Sequence, residues 1–159
     1  MIREYQDADL EKVMDIANKA WKEIRKMART RLGDRISDIM RPEGDDKCKG
    51  LEVKGQALQN PENFWICERN GKIVGFITFR IDKEKNFGEI LNNAADADSG
   101  EKGVGQEMYK AVLDYFRELK LDFVTVRTGL DYAHERARKA YERVGFDKSM
   151  ESITYYMEL

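Results

Sequence analysis

Hydrophobic residues recur at helical spacing in two parts of the chain. The first set lies near the N-terminus and consists of Leu10, Val13, Met14, Ala17 and Trp21. The second set is longer and consists of Val104, Met108, Ala111, Val112, Tyr115 and Leu119. Steps of three and four residues put apolar side chains on one face of a helix. We therefore predict two amphipathic helices, each with one face packed on a core.

Between these helices the pattern becomes that of β-strands. A β-rich run at residues 64–69 leads into Asn70-Gly71, a dipeptide typical of tight hairpin turns, and the next run starts at once at Lys72. Asn86-Phe87-Gly88 connects this run to a further one that ends at Ala95. The three runs predict an antiparallel meander.

The remaining elements are shorter. We predict a first strand at residues 2–5, a second helix around 51–59, a strand at 122–128, a helix at 134–144 and a last strand at 153–159. A strand, a crossover helix and a second strand form a parallel pair when the connection has its usual hand. The prediction is therefore one α/β domain with a mixed, mostly antiparallel sheet and about four helices.

Composition narrows the class of protein. The 159 residues are 42% hydrophobic and 36% charged with a net charge of −2, so nothing in the overall charge favours binding to nucleic acid or a membrane. Two cysteines, Cys48 and Cys67, are too few for a disulfide scaffold, and a single histidine, His134, excludes metal sites that need two imidazoles. The N-terminus has no apolar signal segment. We expect a cytoplasmic protein without a metal.

A glycine-bearing loop lies between the run that ends at Ala95 and the strong helix. It carries Gly100, Gly103 and Gly105, which have no Cβ and allow an anion to approach the backbone closely. The first turn of a helix also offers unpaired N–H donors. The spacing G-x-x-G-x-G is neither the dinucleotide fingerprint nor a P-loop. The loop is either an ordinary strand-to-helix turn or a site for the pyrophosphate of a cofactor.

A second motif distinguishes these alternatives. Ala137, Tyr141 and Gly145-Phe146 resemble the N-x-x-A-x-x-x-Y-x-x-x-G-F signature of the GNAT superfamily of N-acetyltransferases. The glycine loop is similar to the R/Q-x-x-G-x-G/A loop of that family, and the order of elements matches over essentially the whole chain. The resemblance implies acyl transfer from acetyl-CoA to an amine. It also implies a sheet of about six to seven strands with a central parallel pair splayed to admit CoA.

The resemblance assigns cofactor contacts position by position. Backbone donors to the pyrophosphate would come from the loop, and the pantetheine arm would lie along the strand before it. His134 stands where the family has asparagine, and Asp131 is the alternative for that role. Gly100 and Glu101 replace residues common in the family, so one phosphate contact is lost, and Lys102 is a candidate to compensate. The assigned residues are Asn93, Ala94, Ala95, Gly100, Lys102, Gly103, Val104, Gly105, Gln106, His134 and Ala137.

The chemistry of thioester aminolysis suggests two catalytic residues. A tyrosine is protonated at neutral pH and can protonate the leaving thiolate, and Tyr141 matches the family position for this acid. Its alternative role is that of a core aromatic on the apolar helix face. Glu89 is the candidate base that deprotonates the amine, with Asp96 and Glu68 as alternatives. No cysteine stands at a motif position, so direct attack in a ternary complex is expected.

The acceptor and the assembly stay open. A solvated helix face is the simpler explanation of the basic run in the first helix, and the alternative is an anionic acceptor bound near Arg25 and Arg29. We expect a small-molecule or peptide amine as acceptor and a monomer or homodimer, in which residues 153–159 could pair across the dimer. The competing functions are a non-catalytic acyl-CoA-binding or regulatory domain of the same fold and a nucleotide-binding domain of another family.

Overall fold

The computed structural model describes residues 1–159 and contains one five-stranded mixed sheet with helices on both faces. The strands lie in chain order, β1-β2-β3-β4-β5, and every neighbouring pair is antiparallel except β4 and β5, which are parallel. The elements are β1 (Ile2–Glu4), α1 (Leu10–Met40), α2 (Cys48–Gln59), β2 (Phe64–Arg69), β3 (Lys72–Asp82), β4 (Phe87–Ala95), α3 (Val104–Glu118), β5 (Phe123–Val126) and α4 (Glu135–Arg143).

The predicted meander and the four helices are confirmed. Asn70 and Gly71 both have positive φ, 52° and 70°, which is what a two-residue hairpin turn requires. Asn86, at the next connection, also has a positive φ of 53°. These turn residues determine where β2, β3 and β4 reverse direction, and so they position β4 next to β5.

The predicted number of strands is wrong. The sheet has five strands instead of six to seven, because residues 146–159 form neither a helix nor a strand. The parallel pair consequently lies at an edge of the sheet and not at its centre. The alternating pattern of 153–159 is a local signal, whereas a strand also needs a partner and a layer that covers its apolar side chains. The tail has no such layer, since Ile153, Tyr155 and Met157 are all exposed.

The first helix is longer than its apolar pattern predicts. It continues through the basic run to Met40, with a break at Gly33, where φ is +76°. A short acidic connection follows at residues 41–47, and α2 starts slightly earlier than expected. Helices α1 and α2 approach closely at Gly50, whose N–H donates to Asn18 Oδ1 at 2.7 Å and where a Cβ would lie 2.7 Å from Asn18 Nδ2. Neither these helices nor any other is long and apolar enough to cross a bilayer.

Two cores lie on opposite faces of the sheet. The first contains buried residues of α1 and α2, such as Val13, Ile16 and Val53, packed on Phe64 and Phe76 of the sheet. The second lies under α3 and α4. Helix α3 crosses this face at very short range, since a Cβ on Gly88 would lie 2.4 Å from the ring of Phe116. The sheet is therefore covered on both sides, and only its β5 edge is open.

Candidate active site

The pairing of strands β4 and β5 ends partway along β4, at the edge of the sheet. Their pairing runs from Phe87 opposite Phe123 to Ile90 opposite Val126, whereas β4 continues to Ala95. A bulge in β4 follows Ile90 on the side of β3. The last five residues of β4 therefore have a partner strand on one side only. Beside the end of β4 there is thus a gap in the sheet, the position where a splay of the parallel pair is predicted.

Two backbone amides of β4 point into this gap. Asn92 N donates to Thr78 Oγ1 at 2.9 Å and Asp96 N donates to Val74 O at 2.8 Å, so both amides face β3. Successive amides in an antiparallel pair alternate in direction. The N–H groups of Asn93 and Ala95 consequently face away from β3 and toward the gap, and that of Ala94 faces β3. Of the three predicted pantetheine contacts, two have a free donor in a suitable direction.

The glycine loop connects the end of β4 to the start of α3. Gly100 and Gly103 adopt positive φ values of 69° and 76°, and a Cβ on either would meet nothing within 4 Å. Gly103 is the N-cap of α3, and the N–H of Glu107 is the first to bond back to it, at 3.0 Å. The N–H groups between them have no carbonyl within the helix to pair with. These three free donors belong to Val104, Gly105 and Gln106.

The carboxylate of Glu101 is held in an ion pair with Arg69. Arg69 binds Glu101 Oε2 and Glu107 Oε2, both at 2.7 Å, and also donates to the carbonyl of Lys102 at 3.0 Å. The N-terminal ammonium of Met1 also binds Glu107, at 3.0 Å, so two cations balance the charges of Glu101 and Glu107, which flank Gly103 and Gly105. The positive end of the α3 dipole adds to the same effect. The Lys102 side chain is exposed and makes no ion pair.

Tyr141 lies against the end of β4. Its side chain is buried, with 7% of the residue exposed, and its hydroxyl oxygen accepts a hydrogen bond from Asn93 Nδ2 at 3.3 Å. The other end of the same amide accepts from the hydroxyl of Tyr109 at 2.6 Å. Burial raises the pKa of Tyr109 far above its ordinary value, so Tyr109 stays protonated. Since Tyr141 is the acceptor in its bond with Asn93, that bond does not use its hydroxyl proton.

The Tyr109–Asn93 contact is absent from the predicted site. Tyr109 follows Met108 on α3, one position beyond the apolar set that predicts the helix. Residues 108 and 109 are both buried, because the contact face of α3 is wider than a single stripe. A tyrosine hydroxyl on a buried helix face indicates that a hydrogen-bond partner is nearby. Which residue is that partner depends on how α3 crosses the sheet, and the sequence does not give this.

Glu89 lies on the opposite face of the sheet from Tyr141. Its neighbours Gly88 and Ile90 face α3, so alternation along the strand turns Glu89 toward α1 and α2. Oε2 accepts from Arg80 Nε at 2.6 Å, and 16% of the side chain is exposed. The pairing of β4 with β5 ends at Ile90, one residue after Glu89. The bulge follows it and leaves its direction unchanged.

The two alternative bases are engaged in other ion pairs. Asp96 binds Lys12 at 2.6 Å and caps the turn after β4. Glu68 binds Arg3 at 2.7 Å, on β2 and away from the gap. Neither carboxylate is as close to the point where β4 and β5 separate as Glu89 is.

The connection between β5 and α4 is held by His134 and Arg138. His134 Nδ1 lies 2.8 Å from the carboxylate of Asp131, which also accepts from the His134 N–H. Burial alone would raise the pKa of Asp131, but the bonds from His134 and the backbone outweigh it and lower that pKa. Arg138 donates to the carbonyl of Gly129 at 2.6 Å. Ala137 packs on the core under α4, so its small side chain lets α4 lie close to the sheet.

Comparisons with solved structures show the fold. The PaiA N-acetyltransferase from Thermoplasma acidophilum, determined in complex with coenzyme A, is 15% identical with a TM-score of 0.71, and the match covers 96% of this chain and 92% of that one. An aminoglycoside acetyltransferase from an uncultured soil metagenomic sample, in complex with sisomicin, is 18% identical with a TM-score of 0.60 and covers 100% and 95%.

Sequence relatives and a family model give the family. N-acetylaspartate synthetase from Rattus norvegicus is 28% identical over 83 residues, which cover 52% of this chain and 27% of the relative. This chain thus spans well under half of that protein's length. A model of the acetyltransferase (GNAT) family matches residues 12–146, which include most of α1, the glycine loop, Tyr141 and the Gly145-Phe146 pair. Because that match extends over most of the sequence, the chain belongs to the acetyltransferase (GNAT) family.

Proposed function

We propose that this protein transfers an acetyl group from acetyl-CoA to a primary amine of a small molecule or peptide. One observation carries the proposal. Asn93, in the part of β4 that borders the gap, is hydrogen-bonded to the Tyr141 hydroxyl, and the glycine loop begins where β4 ends. An acyl donor that extends from the loop along β4 would bring its thioester toward that hydroxyl.

The chemistry of the loop fits a pyrophosphate. Its free N–H groups at the start of α3 are hydrogen-bond donors directed at one place, and the dipole of the helix favours negative charge there. The open space around Gly100 and Gly103 leaves the backbone accessible. The amides of Asn93 and Ala95 would then hold the amide groups of the pantetheine arm by strand-like pairing.

The names of similar proteins support acetyl-CoA as the acyl donor, whereas they imply several different acceptors. One structural neighbour was determined with coenzyme A and another with acetyl-CoA. The acceptors that the names imply differ widely, from an aminoglycoside to the amino acid of N-acetylaspartate. These differences are why the proposal specifies an amine and no particular acceptor.

The proposed reaction is a direct attack in a ternary complex. The amine nitrogen adds to the thioester carbonyl, and the oxyanion that forms accepts from a backbone N–H at the gap. The carbon–sulfur bond then breaks, and the thiolate takes the hydroxyl proton of Tyr141. Glu89 receives the proton of the amine through water, from the other face of the sheet. Acid and base thus act from opposite sides of the strand plane.

An acyl-enzyme on cysteine is not part of this proposal. Cys67 is fully buried on β2, separated from β4 by β3, and burial raises the pKa of its thiol. Cys48 begins α2 and donates to the carbonyl of Asp45. Neither sulfur borders the gap.

Two measurements test the proposed function. Calorimetry should show binding of acetyl-CoA, and release of free thiol should depend on an added amine, with the acetylated amine identified by mass. Binding without thiol release for any amine in a broad panel would support a non-catalytic acyl-CoA-binding domain instead. Absence of acetyl-CoA binding would contradict the proposal.

A further inference from the structure

A polar cluster lies between α1, α2 and β4, on the face of the sheet opposite Tyr141. Lys49 Nζ is 4.4 Å from the centre of the Trp21 ring and 2.7 Å from Glu52 Oε1. Arg25 Nη2 approaches Glu52 Oε2 only to 3.7 Å. Asn92 Nδ2 donates to Gln56 Oε1 at 2.9 Å and lies 3.4 Å from Glu52 Oε1.

Arg25 differs in its hydrogen-bond partners from Arg29, the other arginine that the sequence suggests for acceptor binding. Arg29 binds three carboxylates, those of Asp34, Asp38 and Asp45, at 2.6 to 3.0 Å. It stabilises the end of α1 and the loop that follows, and the predicted role for Arg29 in acceptor binding finds no support. Arg25, in contrast, has a buried Nε with no hydrogen-bond partner.

The cluster has more positive than negative charge. Lys49 and Arg25 contribute two cations, and Glu52 is the one carboxylate that either of them reaches. The side chain of Lys49 is only 7% exposed and that of Arg25 is 21% exposed, whereas Glu52 is 48% exposed. Burial lowers the pKa of Lys49, although its bond to Glu52 offsets part of this effect. A buried donor without a partner costs free energy that a bound anion would recover.

Asn92 connects the cluster to the gap. It belongs to the part of β4 that has separated from β5, and it is adjacent in sequence to Asn93, which holds Tyr141. The two asparagine side chains point to opposite faces of the strand. A group bound at Arg25 would therefore approach the gap from the α1–α2 side, which is also the side of Glu89.

We propose, on the basis of the proposed function, that the acceptor is an amine carrying a carboxylate and that Arg25, supported by Lys49, binds this carboxylate. A guanidinium matches the geometry of a carboxylate with two parallel hydrogen bonds. The excess of one positive charge suits a monoanion better than a phosphate dianion. Glu52 is exposed enough to move aside and release Arg25.

The test compares matched amines that differ only in the charged group. Alanine is paired with alaninamide, β-alanine with β-alaninamide, and the peptide amide Asp-Ala-NH2 with Asn-Ala-NH2. At least one pair should show kcat/KM higher by about 10-fold or more for the carboxylate member, the size expected of a charged hydrogen bond. The pair that responds distinguishes a free amino acid from an acidic peptide.

Arg25→Gln and Lys49→Met then test the residues. Each should reduce the preference within the responding pair by about 10-fold or more, mainly through KM of the carboxylate member, without changing acetyl-CoA affinity. Lys26→Gln is the matched control, because it removes one positive charge from the exposed face of the same helix. The preference is a ratio of two kcat/KM values measured on the same variant, so partial unfolding does not change it. Arg25→Lys, which keeps the positive charge, should retain part of the preference that Arg25→Gln loses.

Three outcomes have different meanings. Turnover with no preference in any pair, or an unchanged preference in both variants, overturns the carboxylate site and leaves the acetyltransferase function intact. Loss of preference in Arg25→Gln and Lys49→Met but not in Lys26→Gln supports the site. Absence of turnover with every amine contradicts the proposed function, and this inference with it.

Discussion

Asn93 Nδ2 donates to the Tyr141 hydroxyl oxygen at 3.3 Å, joining the strand that borders the gap to the helix that carries the proposed acid. The bond uses a lone pair of the tyrosine and leaves its proton available. Asn93 Oδ1 in turn accepts from the Tyr109 hydroxyl, so both ends of the amide are hydrogen-bonded in this orientation. The position of the Tyr141 hydroxyl is thus set by α3 and β4 as well as by α4.

Tyr141→Phe tests the proposed acid. We expect kcat to fall by about 10-fold or more, because the thiolate loses its proton donor, while acetyl-CoA affinity stays unchanged. The measurement is steady-state thiol release together with calorimetry. Tyr155→Phe is the control, since Tyr155 is an exposed tyrosine of the C-terminal tail. Equal kcat in Tyr141→Phe and the wild type would exclude Tyr141 from proton transfer.

Glu89→Gln tests the proposed base. The substitution removes the negative charge but keeps an oxygen that can accept from Arg80, so the fold should be little changed. We expect kcat/KM for the amine to fall by about 100-fold or more at neutral pH, the lower range for loss of a general base. The fall should diminish at higher pH, where more of the amine is already deprotonated.

The control for this experiment is Glu84→Gln, an exposed residue in the turn between β3 and β4. Both substitutions remove one carboxylate near the same end of the sheet. If the two variants have the same activity, Glu89 serves only as the ion-pair partner of Arg80.

Gly103→Ala tests the glycine loop. Since φ is +76° there and a Cβ would touch nothing, the cost comes from backbone strain alone, about 1–2 kcal/mol for an L-residue in this conformation. A shift away from this conformation would also misdirect the free N–H groups at the start of α3. We expect weaker acetyl-CoA binding in calorimetry and a lower free energy of unfolding in urea.

Gly55→Ala provides the matched control. It lies within α2, has an ordinary helical backbone, and a Cβ would again meet nothing within 4 Å. Alanine should raise the free energy of unfolding there by about 0.5–1 kcal/mol without any effect on acetyl-CoA binding. If Gly103→Ala left acetyl-CoA affinity unchanged, the loop would not be the pyrophosphate site.

Local signals in the sequence predict the parts of the site that neighbouring residues determine. The apolar spacing of α3 and the Asn70-Gly71 turn are of this kind, and so is the position of Tyr141 on the core-facing side of α4. Each depends on residues within a few positions of one another. The order of strands follows once the hairpin and the crossover are recognised.

Other features depend on partners that are distant in the chain. The Tyr109–Asn93 bond depends on how α3 packs on the sheet, and the contact between Lys49 and Trp21 depends on how α2 packs on α1. The unpaired tail shows the opposite case, in which alternation predicts a strand at 153–159 but no paired neighbour is present. Charge runs are equally ambiguous, since Arg25 and Arg29 look alike in sequence and differ completely in their partners.

The ion pair between Arg3 and Asp9 predicts how stability depends on pH. Asp9 Oδ2 and Oδ1 accept from the two terminal nitrogens of Arg3 at 2.7 and 2.8 Å, and the side chain is 7% exposed. The hydrogen bonds from Arg3 lower the pKa of Asp9 despite the opposing effect of burial. The free energy gained is present above the unfolded pKa of about 3.9 and is lost as pH falls through the lower folded pKa.

Asp9→Asn should therefore destabilise the protein by about 1–3 kcal/mol at pH 7, since Arg3 keeps its second partner, Glu68. The difference from the wild type should shrink as pH falls below about 4, because the wild-type carboxyl then becomes neutral as well. Urea unfolding at several pH values measures this, with Asp7→Asn, an exposed neighbour, as control. A difference of constant size across that pH range would mean that the charge of Asp9 contributes nothing to folding.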